Sequence, residues 1–135
     1  MNQFVFGYIL VQSVLFDMET GRLINIRTNL SEYHVPCITM KRTMISLLKF
    51  LLEKRSEDCI PIDDILYYVW DKNHLQSSTQ RLWQVMKALK EKLKAVGIED
   101  DFIIRRDKHS YEIICNLITP IYCPTVSPSN FIEAR

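Results

Sequence analysis

An α+β fold is predicted for this chain: a small antiparallel sheet, then three helices, then a closing β-hairpin. Three observations predict it. Short apolar or alternating runs, separated by turn residues, occupy the region from Phe4 to Ile38. Apolar residues then recur at spacings of three and four in successive segments between Met40 and Leu93. Finally, the runs Phe102 to Arg105 and Tyr111 to Cys115 flank the polar segment Arg106-Asp107-Lys108-His109-Ser110, a hairpin with a basic tip.

In the N-terminal region, Tyr8 to Leu10, Val14 to Phe16, Leu23 to Ile26 and Tyr33 to Ile38 are the candidate strands, with Asp17-Met18-Glu19-Thr20-Gly21 supplying a turn. Thr39 can cap the first helix, whose apolar stripe is Met40, Met44, Leu47, Leu48, Leu51 and Leu52. Pro61 opens the second helix, where a missing N–H costs nothing. Asp63 and Asp64 in its first turn oppose the positive end of the helix dipole, and Ile62, Ile65, Leu66, Val69 and Trp70 form its apolar side. For the third helix, Ser77 and Gln80 have capping-box spacing and Gly97 is a natural stop. Leu82, Met86, Leu89 and Leu93 make its buried stripe, so that Gln80, Gln84, Lys87, Glu91 and Lys94 face outward.

A length of 135 residues fits one domain, residues 1–115, with a Pro-containing tail or linker over 116–135. The 47% hydrophobic and 24% charged content is that of a globular chain able to bury its own core, so neither disorder nor a metal staple is expected. The four cysteines, Cys37, Cys59, Cys115 and Cys123, form no CxxC pair and have no histidine at zinc-finger spacing. They are expected as free thiols, with no metal and no cofactor. No uninterrupted apolar run is long enough to span a bilayer, and the N-terminus lacks a basic leader. A cytoplasmic location without membrane contact is therefore expected of these residues, as a freestanding protein or as the cytoplasmic portion of a longer membrane-anchored one.

The net charge is only +1, but it is segregated. From Lys72 to Lys94 stand Lys72, Arg81, Lys87, Lys90, Lys92 and Lys94 against Glu91 alone, whereas acidic residues dominate from Glu53 to Asp71. Local fields of this kind steer ligands more than the sum does. The outward side of the third helix carries residue types that read base edges: Gln80 and Gln84 can pair with adenine, and Lys87 can donate to guanine. Ser78 and Thr79, beside the free N–H groups of the helix start, suit phosphate contacts. Lys90 and Lys94 extend the basic half of this helix. Trp83, on its flank, is read either as core packing or as a backbone contact. Arg105, Arg106, Lys108 and His109 on the hairpin can enter a minor groove or touch the backbone; His109 is read equally as simply exposed. His34 and His74 stand alone and receive no role. No nucleophile–base spacing, phosphate loop or paired-carboxylate pattern stands out, so no enzymatic activity is expected.

These residues resemble a known family. The run Ile60-Pro61-Ile62-Asp63-Asp64-Ile65-Leu66-Tyr67-Tyr68-Val69-Trp70, the segment from Leu82 through Met86, Leu89 and Leu93, and the segment Phe102 to Ile113 are similar to the second helix, recognition helix and wing of OmpR/PhoB-type winged-helix DNA-binding domains. The similarity covers roughly Tyr8 to Cys115 and is best to the ToxR/CadC-like bacterial regulators that lack a receiver domain. It implies a winged helix-turn-helix with a four-stranded N-terminal antiparallel sheet, three helices and a C-terminal β-hairpin wing. It implies a sequence-specific double-stranded DNA-binding transcriptional regulator, its third helix in the major groove. It also implies an Asp71–Gln76 loop facing RNA polymerase, and a homodimer on tandem half-sites. Two positions depart from the pattern: Ser110 stands where glycine is usual, and Glu91 where a basic residue is common. With the low net charge, they motivate an alternative, a winged helix that has lost DNA binding and holds a protein partner.

Overall fold

The structure, a computed structural model, describes residues 3–27, 34–114 and 117–124. The expected strand start at Tyr33, the strand end at Cys115 and the tail beyond Pro124 lie outside the described residues. The chain begins with β1 (Gln3–Leu10), β2 (Val14–Asp17), β3 (Arg22–Asn25) and β4 (Cys37–Thr39). After these come α1 (Arg42–Glu53), β5 (Ile60–Pro61), α2 (Ile62–Val69) and α3 (Thr79–Ala95). The hairpin of β6 (Ile103–Asp107) and β7 (Ser110–Ile113) follows, and then β8 (Ile118–Pro124).

The first sheet has five strands in the order β4-β3-β2-β1-β8, not four. The extra strand, β8, comes from the segment expected as a tail and pairs antiparallel with β1, Ile118 opposite Leu10 and Pro120 opposite Tyr8. Its prolines had marked it as a linker. At a sheet edge, however, a residue without an N–H can face away from its neighbour, and proline is tolerated.

Alternation along β1 and β2 turns Tyr8, Leu10, Val14 and Phe16 into the core, joined by Leu23 of β3. The β1–β2 connection is a turn that sequence signals missed. Val11 and Gln12 both have positive φ, 51° and 58°, and Ser13 N donates to Leu10 O at 3.1 Å. Such φ values suit the twist of a hairpin but are costly for a β-branched residue. The bond from Val11 N to Leu117 O, 2.7 Å, helps to hold it there. The expected turn at Asp17–Gly21 is present. Asp17 Oδ1 accepts from Glu19 N, and Gly21, at φ +72°, lies where a Cβ would run into Ile45.

The helices pack against this sheet with their predicted stripes buried: Met44, Leu47, Leu48, Leu51 and Leu52 in α1, Ile62, Ile65 and Val69 in α2, and Leu82, Met86, Leu89 and Leu93 in α3. Three start positions are corrected. Thr39 does not cap α1, because it pairs with Arg22 in the sheet and Met40 N donates to Gly21 O; the N-cap is Lys41, with no side-chain cap bond. Pro61 stands one residue before α2 as its N-cap, kept extended by pairing with Ser110 of β7. In α3 the cap is Ser78 rather than Ser77. Ser78 has extended φ and ψ, −158° and 151°, and its Oγ accepts from Arg81 N at 3.0 Å.

The end of α3 agrees with expectation. Gly97 has φ +107°. Its N donates to Lys94 O, and Ile98 N donates to Leu93 O at 2.8 Å, the paired bonds of a Schellman stop. Trp70 is fully buried, as expected of a core aromatic. A second, three-stranded sheet has the order β5-β7-β6 and fixes the hairpin against the start of α2.

Candidate nucleic-acid interface

Helix α3 is held from behind and from its end. Its apolar stripe lies in the core, and its last carbonyls, which a helix cannot satisfy internally, are taken by the N-terminal region. Asn25 Nδ2 donates to Val96 O at 2.7 Å, and Val35 N donates to Ala95 O at 2.8 Å. The outward surface is thus presented on a rigid rod. Gln80, Gln84, Lys87 and Glu91 are exposed along its crest, Thr79, Trp83 and Lys94 are exposed on the side facing the hairpin, and Lys90 there is half-buried. Ser78 stands at the start of this surface, its oxygen already accepting from Arg81 N.

Between α3 and the hairpin runs a groove lined by Trp83, Met86, Lys87, Lys90, Lys94 and Arg105, with Glu91 and Tyr111 also on its wall. Toward the start of α3 a second groove is lined by Thr79, Trp83, Arg105, Lys108 and His109, together with Pro61, Ile62 and Asp63 of β5 and α2. The four basic residues expected on the hairpin do not act alike. Lys108 and His109 are exposed at the tip. The Arg105 guanidinium lies over the Trp83 ring, 5.0 Å from its centroid, and bonds back to Asp107 O and Lys108 O. Arg106 is turned to the other side. Its Nη1 donates to Glu112 Oε1 at 3.0 Å and to Asp58 O at 3.2 Å, so its charge is locally neutralised. The neighbours part because successive side chains of a strand point to opposite faces.

The turn itself is well bonded, with Ser110 at its end. Ser110 is buried and its Oγ donates to Asp107 Oδ1 at 3.0 Å; the same oxygen accepts from His109 N at 2.7 Å. These bonds, from the His109 backbone first and the Ser110 hydroxyl second, hold the Asp107 carboxyl below its ordinary pKa. The His109 carbonyl accepts from Ile62 N at 2.7 Å, tying the tip to the start of α2. Beneath the groove, burial raises the Tyr111 hydroxyl pKa against the opposing charge of Arg105.

The opposite flank of α3 was missed by the sequence reading. Arg81, Gln84, Val85, Ala88 and Lys92 line a groove there with Lys41, Met44 and Trp70. Spacings of three and four from Arg81 to Lys92 were a readable signal for one stripe of the helix. Lys41 was not readable, because only packing brings α1 alongside. Among the described residues, Trp70 Nε1 is the buried side-chain polar atom without a hydrogen-bond partner. The start of α1 adds N–H groups with neither a side-chain cap nor an acidic residue in the first turn. An uncapped helix start favours an anion.

The fold is similar to that of a solved structure, the DNA-binding domain of E. coli CadC. The TM-score is 0.66, covering 89% of this chain and 100% of that chain. The chain has a winged-helix fold. Sequence identity to that neighbour is 16%, so the likeness bears on the fold. No family model matches the chain, and no curated protein matches it. In this fold α3 is the third helix and β6–β7 is the hairpin, or wing, that follows it. Residues 71–76, between α2 and α3, are all exposed; Asp71–Asn73 form a 3₁₀ turn. Among the described residues no group of His, Cys, Asp and Glu could hold a metal ion, and no helix is long and apolar enough to cross a membrane.

Proposed function

We propose that this winged helix binds double-stranded DNA as a sequence-specific bacterial transcription regulator, with α3 in the major groove. The observation that carries the reading is the distribution of charge about α3: a polar crest between two cationic flanks. A helix in a major groove about 12 Å wide has a phosphate strand along each side, so it needs cations on both. Gln80, Gln84 and Lys87 of the crest read base edges. Ser78, Thr79, Lys90, Lys94, Lys108 and His109 face one strand, with Trp83 and Arg105 between them. Lys41, Arg81 and Lys92 face the other. Arg106 takes no part, because Glu112 holds it.

The DNA-binding unit on this reading runs to Pro124, because β8 completes the first sheet. The exposed Asp71–Gln76 loop faces RNA polymerase. Two copies bind tandem half-sites in the cytoplasm.

The test is selection of bound duplexes from a random double-stranded library at near-physiological salt. The expected result is an enriched motif, with affinity falling as salt rises by a slope near −0.9 per phosphate neutralised. Lys87→Ala is then expected to relax one base position, at about 1–3 kcal/mol. No enrichment and no salt-sensitive binding would favour a winged helix that holds a protein partner instead, a reading to which Glu91 on the crest contributes.

A further inference from the structure

We propose that Trp83 is a positioning residue for DNA binding: by stacking on Arg105 it braces the wing at a set distance from α3. The inference rests on the DNA-binding reading above. One guanidinium makes the joint. Its carbon is 5.0 Å from the Trp83 ring centroid, its Nε donates to Asp107 O at 3.2 Å, and its Nη2 donates to Lys108 O at 3.3 Å. The two carbonyls belong to the wing turn, and the second belongs to Lys108 itself. The aromatic ring on α3 is thereby connected, through a single planar cation, to the backbone that carries the tip lysine.

The wing needs such a brace. Its hairpin has one neighbouring strand, the two-residue β5. Its tip is tied on the α2 side by the bond from Ile62 N to His109 O. The Arg105 stack supplies a second tie, to α3, so the tip is fixed from two directions. Trp83 is not needed for the core. It is 48% exposed, and the buried stripe of α3 is complete without it. A large half-exposed aromatic in a polar helix face is explained by the cation lying on it. A guanidinium suits the joint better than an ammonium would, because its planar donors can stack on a ring and bond to carbonyls at once. Trp83 and Arg105 both line each of the two wing-side grooves, so the stack divides them and leaves the phosphate-facing cations on either side. A tip ordered before binding loses less freedom on binding.

The experiment compares Trp83→Ala, Trp83→Tyr, Arg105→Ala and the double alanine variant by two readouts. The first uses the free protein: NMR shifts of the Arg105 Nε–H group and the order parameter of the Lys108 amide. Trp83→Ala is expected to remove the ring-current shift and lower the order, while Trp83→Tyr preserves both. The second is affinity for a duplex as a function of salt. Trp83→Ala is expected to weaken binding about tenfold with an unchanged salt slope. Arg105→Ala is expected to do the same, and the double variant no more than either. A Lys108 amide as ordered in Trp83→Ala as in wild type overturns the brace. So do additive losses, or a salt slope that falls by about 1 in Arg105→Ala, which would make Arg105 a phosphate contact. If the wild-type protein binds no duplex, the DNA reading fails, and the free-protein readout alone still supports or overturns the Trp83–Arg105–wing connection.

Discussion

Asn25 of β3 reaches across to the end of α3, its side-chain nitrogen donating to the Val96 carbonyl at 2.7 Å. The N-terminal sheet is therefore more than a platform. With Val35 N on Ala95 O, it satisfies the helix end that an outward-facing α3 leaves open. Asn25→Ala is expected to destabilise the fold by about 1–3 kcal/mol, the cost of a part-buried carbonyl left unpaired. Urea unfolding would measure it, and faster amide exchange confined to the last turn of α3 would locate it. Unchanged stability would show that water replaces the side chain.

The two arginines and the lysine of the wing separate by their partners. Lys108→Ala is expected to weaken binding to all duplexes similarly and to lower the salt slope by about 1. Arg106→Ala is expected to leave DNA affinity within about twofold and to cost no more than ~1 kcal/mol of stability, since its bond to Glu112 is an exposed ion pair. Salt-dependent titrations of both variants check this. A larger loss of affinity from Arg106→Ala would mean that the ion pair opens on DNA.

Arg81 and Lys92 lie on the flank of α3 away from the wing, beside Lys41. Replacing both by alanine is expected to lower the salt slope by about 2, at 0.9 per phosphate, without altering the selected motif. A changed motif would move these side chains from backbone to base contact.

Asp107 organises the wing turn and its pKa is depressed, chiefly by the His109 N–H and then by the Ser110 hydroxyl. A depressed carboxyl contributes fully above its unfolded value, ordinarily 3.8, and its contribution is lost as pH falls through the lower folded value. The turn is therefore expected to stay intact through mildly acidic pH. A carboxyl-detected NMR titration should place the Asp107 midpoint below 3.8. Ser110→Ala should move that midpoint upward, and a midpoint unmoved by this substitution would remove the hydroxyl as a cause.

The fifth strand yields a stability prediction. Ending the chain after Ile114 strips β8 from β1 and removes Ile118, which packs against the core. A drop in Tm of at least ~5 °C is expected, equivalent to roughly 1–2 kcal/mol at this size, with a greater tendency to associate through the bared β1 edge. An unchanged Tm would make β8 dispensable to the fold.

Much of this architecture was legible because it is local. The stripe Leu82, Met86, Leu89 and Leu93 follows from helical periodicity, and Gly97 from the left-handed residue that a helix stop requires. The crest of Gln80, Gln84 and Lys87 follows from the same periodicity, since the side opposite a buried stripe is outward wherever the helix sits. The hairpin with its basic tip was readable from two short runs and a polar turn. Where the local signal was ambiguous, as between Ser77 and Ser78, the cap shifted by one residue.

What the sequence by itself determined, then, is the order of elements, their buried faces and the outward crest of α3. Tertiary structure decided which charges count. Arg105 and Arg106 are adjacent and chemically identical, and strand alternation sends them to opposite faces, but only packing places Trp83 of α3 on one face and leaves Glu112 to hold the other. Lys41 joins Arg81 and Lys92 only where α1 packs beside α3, and β8 becomes a strand only because β1 offers it an edge. Periodicity ranks the faces within one element, but contacts between elements depend on packing across long sequence separations, which no short stretch of sequence encodes.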